Sequence, residues 1–318
     1  MKPKSLGIIA ILAVVAVVAV AAVAFGPSSF SGLGNPESTT RFESPIGVPT
    51  WHVGDTWTYD VNESLRSMNF DHPYASGTLT RAVVSADAEQ YNVSVAGSFH
   101  LVGLLDRMND PSPANATIML YHHPMLDNAT VDGYAWYRAS DLAKVKDVRT
   151  VRVYGSLWTE AGVFNASYTA TVETTYQPAL DIWSFPLGEN ETWNVTSNAT
   201  IHAQIQWGVV GPDIYWDFGR NISVTVPIRL VLRSGVFDNV TTPAGTFASI
   251  LVRAGFAAFE RDTDDHRDMA IQLGNDEAME HRLPAALWFS GTAKNVVMTS
   301  VVLGGVRVEA VLASYHVG

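Results

Sequence analysis

The sequence contains no cysteine. That removes disulfides, cysteine zinc sites, iron–sulfur clusters and thiol nucleophiles. Basic residues are also scarce. Twenty Lys and Arg stand against 31 Asp and Glu, the formal net charge is −11, and only five of the 318 residues are lysine. A chain this acidic lacks the basic face that phosphate neutralisation requires, so nucleic acid is excluded as an expected partner. Signatures of common catalysts are missing as well. There is no Gly-x-Ser-x-Gly elbow, no His-Glu-x-x-His, no P-loop and no Gly-x-Gly-x-x-Gly.

What is present begins with a long apolar run. Leu6 to Phe25 gives 20 consecutive residues without a charge, enough to span about 30 Å of hydrocarbon as a helix. Lys2 and Lys4 precede it, and no basic residue follows until Arg41. The asymmetry orients residues 1–5 to the cytoplasm and everything after Phe25 to the outside. An uncleaved single-pass anchor over 6–25 is the expectation. The alternative is a signal peptide cleaved near Ala22-Val23-Ala24, which would release a secreted protein. Residues 26–49 are rich in Gly, Pro, Ser and Thr and read as a flexible stalk before a domain at 50–318.

Asn-x-Ser/Thr acceptors occur at Asn62, Asn92, Asn115, Asn128, Asn165, Asn190, Asn194, Asn198, Asn221 and Asn239. Ten of the chain's 15 asparagines sit in such a sequon, far above chance. Several N-linked glycans on an exported surface are expected, in agreement with the topology drawn from the lysines. No acceptor follows Thr241, so a protein-binding face is best sought in the last quarter.

The dominant periodicity is two. Thr56–Val61, Gln90–Val95, Thr150–Tyr154, Thr192–Trp207, Arg220–Leu232, Thr246–Val252, Asn295–Leu303 and Val306–Tyr315 alternate apolar with polar residues and are rich in Val, Ile, Thr and aromatics. Alternation of this kind marks antiparallel sheet with one buried face. Leu303-Gly304-Gly305-Val306 marks a hairpin. Helical signal is confined to a short start at Ser140–Lys144 and a stretch within Asp264–Arg282. The predicted fold is mainly β: a curved antiparallel sheet, as an incomplete barrel or sandwich, behind one transmembrane helix. Trp51-x-x-Gly54-Asp55-x-Trp57 is echoed by Trp183, Gly188-Glu189 and Trp193, which reads as two strands opened by similar turns, with a duplication as the alternative.

Two motifs carry a family resemblance. Gly54-Asp55-x-Trp57-x-Tyr59 and Pro243-Ala244-Gly245-Thr246-Phe247 resemble those of a group of exported β-rich domains common in archaea. Trp288-Phe289-Ser290, Asn295-Val296-Val297 and Leu312-Ala313-Ser314-Tyr315 extend the resemblance toward the C-terminus. It implies a fold similar to the bacterial lipoprotein-localisation carriers, in which an incomplete barrel cups an apolar cavity. The motif residues themselves are structural in character. Gly54-Asp55 forms a tight turn, Trp57 and Tyr59 share a strand face, and Pro243 and Gly245 make a turn ahead of Phe247.

Candidate chemistry is thin. His122-His123 are adjacent, so on a strand they point to opposite faces and do not chelate one ion. Asp262, Asp264 and Asp268 have calcium-loop spacing, yet Arg267 stands where a glycine belongs and Leu273 where a glutamate belongs. Glu260 and Asp262 could be paired as glycosidase carboxylates, but they lie in an exposed charge run. Trp136, Trp158, Trp207 and Trp216 fit either a β core or a sugar- or lipid-binding platform. No catalytic, metal or cofactor residue is assigned. The expected role is a non-enzymatic, tethered, N-glycosylated surface protein with a structural or interaction function and an envelope protein as partner. The alternatives are a module cupping a lipid or other apolar ligand and, third, an exported hydrolase.

Overall fold

A computed structural model describes residues 45–65, 75–101, 124–159, 162–210, 215–256, 285–303 and 306–318. The segment 6–25, most of the expected stalk, Asn115, His122-His123 and the charge run around Asp264 lie outside the described residues. No described helix is long and apolar enough to cross a membrane.

Twelve strands follow one another around a single sheet: β1 (Thr56–Leu65), β2 (Ala75–Ala86), β3 (Gln90–Leu101), β4 (Pro124–Arg138), β5 (Lys144–Thr159), β6 (Gly162–Leu180), β7 (Thr192–Val210), β8 (Tyr215–Thr242), β9 (Gly245–Phe256), β10 (Ala285–Ser290), β11 (Asn295–Leu303) and β12 (Val306–His316). Each pairs antiparallel with its neighbours in sequence, and β1 pairs with β12 from Thr56↔His316 to Leu65↔Val306. The mainly-β antiparallel expectation is therefore met, whereas the incomplete barrel is corrected: the barrel is closed. The reason is that its first and last strands each keep an unpaired edge unless they find each other, and closure satisfies both rows of backbone groups.

Alternation decides the inside. On β7 the burial pattern switches residue by residue, with Val195, Ser197 and Ala199 buried between exposed Asn194, Thr196 and Asn198. On β1, Trp57, Tyr59 and Val61 are buried while Asp60 and Asn62 face out. Outward Thr pairs bond across strands at 3.1 Å, as in Thr58–Thr80, Thr150–Thr171 and Thr200–Thr225. An apolar interior and a polar exterior are the reverse of a membrane-spanning barrel.

The reading of Ser140–Lys144 as a helix start is also corrected. Asp141 accepts from the Ala143 amide at 2.9 Å, Leu142 takes φ 58°, and Arg138 N donates to Ala143 O at 2.8 Å. These local bonds close a tight turn between β4 and β5 before a second helical turn forms. The strands that periodicity missed are β2, β4, β6 and β10. β4 carries Ala and Gly on much of its inner face, as at Ala129, Gly133 and Ala135, so apolar contrast is weak there, whereas β6 does alternate, with Phe164, Ala166, Tyr168 and Ala170 buried and Asn165 and Ser167 exposed between them.

Every second connection falls at the same end of the barrel. One end is built from turns at 87–89, 139–143, 181–191, 243–244 and 291–294, together with the lead-in residues 45–55. This end is plugged. Ile46, within the expected stalk, exchanges backbone hydrogen bonds of 3.0 and 2.8 Å with Leu187. Trp51, Leu142, Leu180, Trp183, Leu187 and Ala293 are buried beneath it. A twelve-strand barrel is wider than eight strands can fill with side chains alone. Here large aromatics and inturned loops supply the missing volume.

Candidate functional site

The two resemblance motifs meet at the plugged end, where they tie distant parts of the barrel together. Gly54 has φ 98°, a conformation that favours glycine. It presents Asp55, whose carboxylate accepts from His52 N and from Gly318 N, both at 2.9 Å. Trp57 Nε1 donates to Ala293 O at 2.7 Å, and Tyr59 Oη donates to Val296 O at 2.9 Å. In the second motif Gly245 has φ 132°. Pro243 is exposed beside Ala244, which donates to Leu312 O at 3.2 Å, and Phe247 packs edge-on against Tyr315 at 5.4 Å. Gly54, Asp55, Trp57, Tyr59, Gly245 and Phe247 all act in holding the fold.

Trp51 and Trp183, the matching aromatics of the echoed turns, line one cavity of about 70 Å³ on the inner side of the plug. Its walls include Leu79, Leu180, Leu287 and Phe289. Four polar side chains also reach it besides the Tyr59 and Tyr137 hydroxyls: Arg81, Lys144, Asn295 and Thr299. Behind them lies a buried charge cluster. Lys144 Nζ and Arg149 Nη2 donate to the same Asp147 Oδ2, at 2.9 and 3.0 Å. Arg81 Nη2 donates to Tyr137 Oη at 2.7 Å, and its guanidinium stands 5.4 Å from the centre of that ring. Lys144 approaches the same ring at 5.9 Å, and Trp51 packs edge-on against it at 5.5 Å.

The electrostatics follow from this arrangement. Burial opposes the Asp147 charge, but Lys144 and Arg149 outweigh it and hold the carboxyl below its ordinary range. Burial likewise opposes ionisation of Tyr137, yet Arg81, Lys144 and Arg149 together lower it. Tyr59, with less cationic support, is pushed up to about 12 by burial. Tyr176 is raised for the same reason, with Asp147 adding to the effect. Among the described residues, Arg81, Lys144 and Arg149 are gathered beside Asp147 and the Tyr59 and Tyr137 phenols.

Arg81, Tyr137, Asp147 and Arg149 do not stand out in the sequence, Lys144 enters only as the end of an expected helix start, and Asn295 only as the opening of a resemblance strand. A signal exists for two of them. Asp147 and Arg149 share the parity of Val151 and Val153, so extending that alternation backward puts charges on the buried face. Arg81 joins them across β3, between β2 and β4, and Asn295 of β11 joins them only through barrel closure.

The sequons fall elsewhere. Asn62, Asn128, Asn165, Asn190, Asn194, Asn198, Asn221 and Asn239 are exposed, on the outer face or in turns. Asn92 is half-buried, and its Oδ1 has no partner. Trp136 lies on the outer face with Lys146 5.7 Å from its ring, and Trp207 faces inward, edge-on to Tyr168 at 6.1 Å. The Trp158 and Trp216 side chains lie outside the described residues. Among the described residues no three His, Asp or Glu converge as a metal site would require.

No protein-family profile, curated protein or solved structure matches the chain.

Proposed function

We propose that this chain is a membrane-tethered, N-glycosylated cell-surface barrel with a non-catalytic structural or interaction role. Leu6–Phe25 is its anchor, with the N-terminus inside and residues 50–318 outside. The observation that carries the reading is the position of the sequons: eight of the nine described acceptors have exposed side chains, spread over β1, β4, β6, β7, β8 and the turn before β7. Closure adds support, because a barrel without free edges resists pairing with neighbouring molecules at a crowded surface. The two motif turns stabilise the end nearest the stalk, which suits a tethered module. The same reading groups the chain with the exported archaeal β-rich domains that its motifs resemble. Intact-mass spectrometry of native protein recovered from membranes tests it. The expected mass retains residues 1–25 and exceeds the chain mass by several glycans. An unmodified chain recovered from the cytosol refutes the reading.

A second reading, an apolar-ligand binding module, is favoured by one observation: the cavity between Trp51, Leu79, Trp183 and Phe289. Solvent extraction of the purified native protein tests it. A stoichiometric apolar molecule is the expected result, and an empty extract counts against it.

A further inference from the structure

Among the described residues, one of the eight exposed acceptors has a Phe, Tyr or Trp directly across the ladder. Asn128 of β4 stands opposite Tyr154 of β5, with His100 of β3 on its other side. The other exposed acceptors on strands, from Asn62 to Asn239, face aliphatic or polar residues; Asn221, for instance, stands opposite Gln204. Asn128 and Tyr154 share the outer face. Their neighbours Ala129 and Val153 are buried, whereas Asn128 is exposed and Tyr154 is 49% exposed. Side chains opposite each other in an antiparallel pair have Cβ atoms about 4.5–5.5 Å apart.

The surroundings leave this place to the ring. The other cross-strand neighbour of Tyr154 is the small, polar Ser167. Arg152, opposite the sequon residue Thr130, pairs with Asp132 and so turns away from Asn128. An aromatic ring half in water gains when apolar surface covers it. A sugar ring offers C–H groups on one face and hydroxyls around its rim, so it covers a phenol and keeps its hydroxyls hydrated. A sugar bonded to Asn128 Nδ2 is held within one side chain's length of the ring. The contact is then intramolecular and forms at high effective concentration, with little intrinsic affinity required.

We propose that Tyr154 is the platform on which the first sugar of an Asn128-linked glycan stacks, laying that glycan along β4 and β5. The inference rests on the surface-glycoprotein reading and adds that one of the glycans is a packed part of the barrel wall.

The test is a thermal-unfolding cycle on the full glycosylated chain, with glycopeptide mass spectrometry reporting occupancy at each acceptor. Asn128→Gln and Tyr154→Ser are each expected to lower the midpoint by about 2–4 °C, and the double variant to fall no further than either single one. In the chain made without glycans, Tyr154→Ser is expected to leave the midpoint unchanged, which separates a sugar contact from packing within the sheet. Asn221→Gln, which removes a glycan opposite Gln204, is expected to shift it by less than about 1 °C. Tyr154→Phe keeps the ring and is expected to keep the wild-type midpoint; its cycle with Asn128→Gln decides the matter if Tyr154→Ser does not fold. Additive losses in the double variant, or an equal loss from Tyr154→Ser without glycans, overturn the proposal. An unmodified Asn128 on a chain glycosylated elsewhere overturns it alone, whereas a native chain without any glycan overturns the surface-glycoprotein reading with it.

Discussion

The Asp55 carboxylate accepts a hydrogen bond from the Gly318 amide at 2.9 Å, joining residues 263 positions apart. Its other oxygen holds the His52 amide, so one buried side chain shapes the turn before β1 and anchors the end of β12. Barrel closure between β1 and β12 is secured beside this point. Asp55→Ala is expected to destabilise the protein by about 2–3 kcal/mol, since hydrogen bonds to a charged acceptor contribute ~1.5–3 kcal/mol each and the Gly318 amide can recover a water. Urea denaturation monitored by tryptophan fluorescence measures this. Asp55→Asn should lose less than Asp55→Ala.

Removal of Asp147 leaves Lys144 and Arg149 buried without their shared acceptor. Asp147→Asn is expected to cost about 3–5 kcal/mol, the range for breaking one side of a buried ion pair. The pH dependence has a definite sign. The folded carboxyl lies below its ordinary value, so its stabilisation is present above the unfolded pKa of about 3.9 and is lost as pH falls through the folded value. Thermal midpoints of the wild type should therefore drop below about pH 4, and the variant should show a shallower fall there.

Tyr137 provides an optical readout of the buried cations. Arg81, Lys144 and Arg149 outweigh the effect of burial and lower its phenol. Absorbance titration at the phenolate band should show one tyrosine ionising below the ordinary value of about 10. That step should vanish in Tyr137→Phe and move upward in Arg81→Gln. Tyr59, pushed up to about 12, should ionise well above the ordinary phenol value.

Gly133 is placed where no side chain fits. A Cβ there would stand 2.0 Å from Val148 O and 2.9 Å from Arg149 Cα, both backbone atoms. Gly133→Ala is expected to destabilise by about 3 kcal/mol or more, because the strands cannot part without breaking their ladder. Gly219→Ala is the control. The nearest atom to its added Cβ is Ile205 O at 3.8 Å, so a change within about 0.5 kcal/mol is expected. Thermal unfolding of both variants makes the comparison.

Glycopeptide mapping should separate Asn92 from the other acceptors. Asn92 is half-buried with its Oδ1 enclosed, and its cross-strand neighbour is Trp136. The exposed asparagines Asn128, Asn165, Asn194 and Asn221 are expected to be occupied and Asn92 largely unmodified. Equal occupancy at Asn92 would show that transfer precedes packing of β3 against β4.

Sequence alone determined the strand character, the two-faced strands and the motif turns, because alternation at β1 and β7 and the glycines at Gly54 and Gly245 act through neighbours along the chain. Weakly contrasted strands such as β4 escaped it, since Ala129, Gly133 and Ala135 give its inner face little apolar character. Tertiary structure decided two things that local patterns do not encode. One is the pairing of β1 with β12, a contact between chain ends made by backbone groups that carry no residue identity. The other is the gathering of Arg81, Tyr137, Lys144, Asp147 and Asn295 around one cavity. These residues come from β2, β4, β5 and β11, and each alone reads as an ordinary polar position. Only when the sheet curls do their charges share one low-dielectric space, where they no longer act independently.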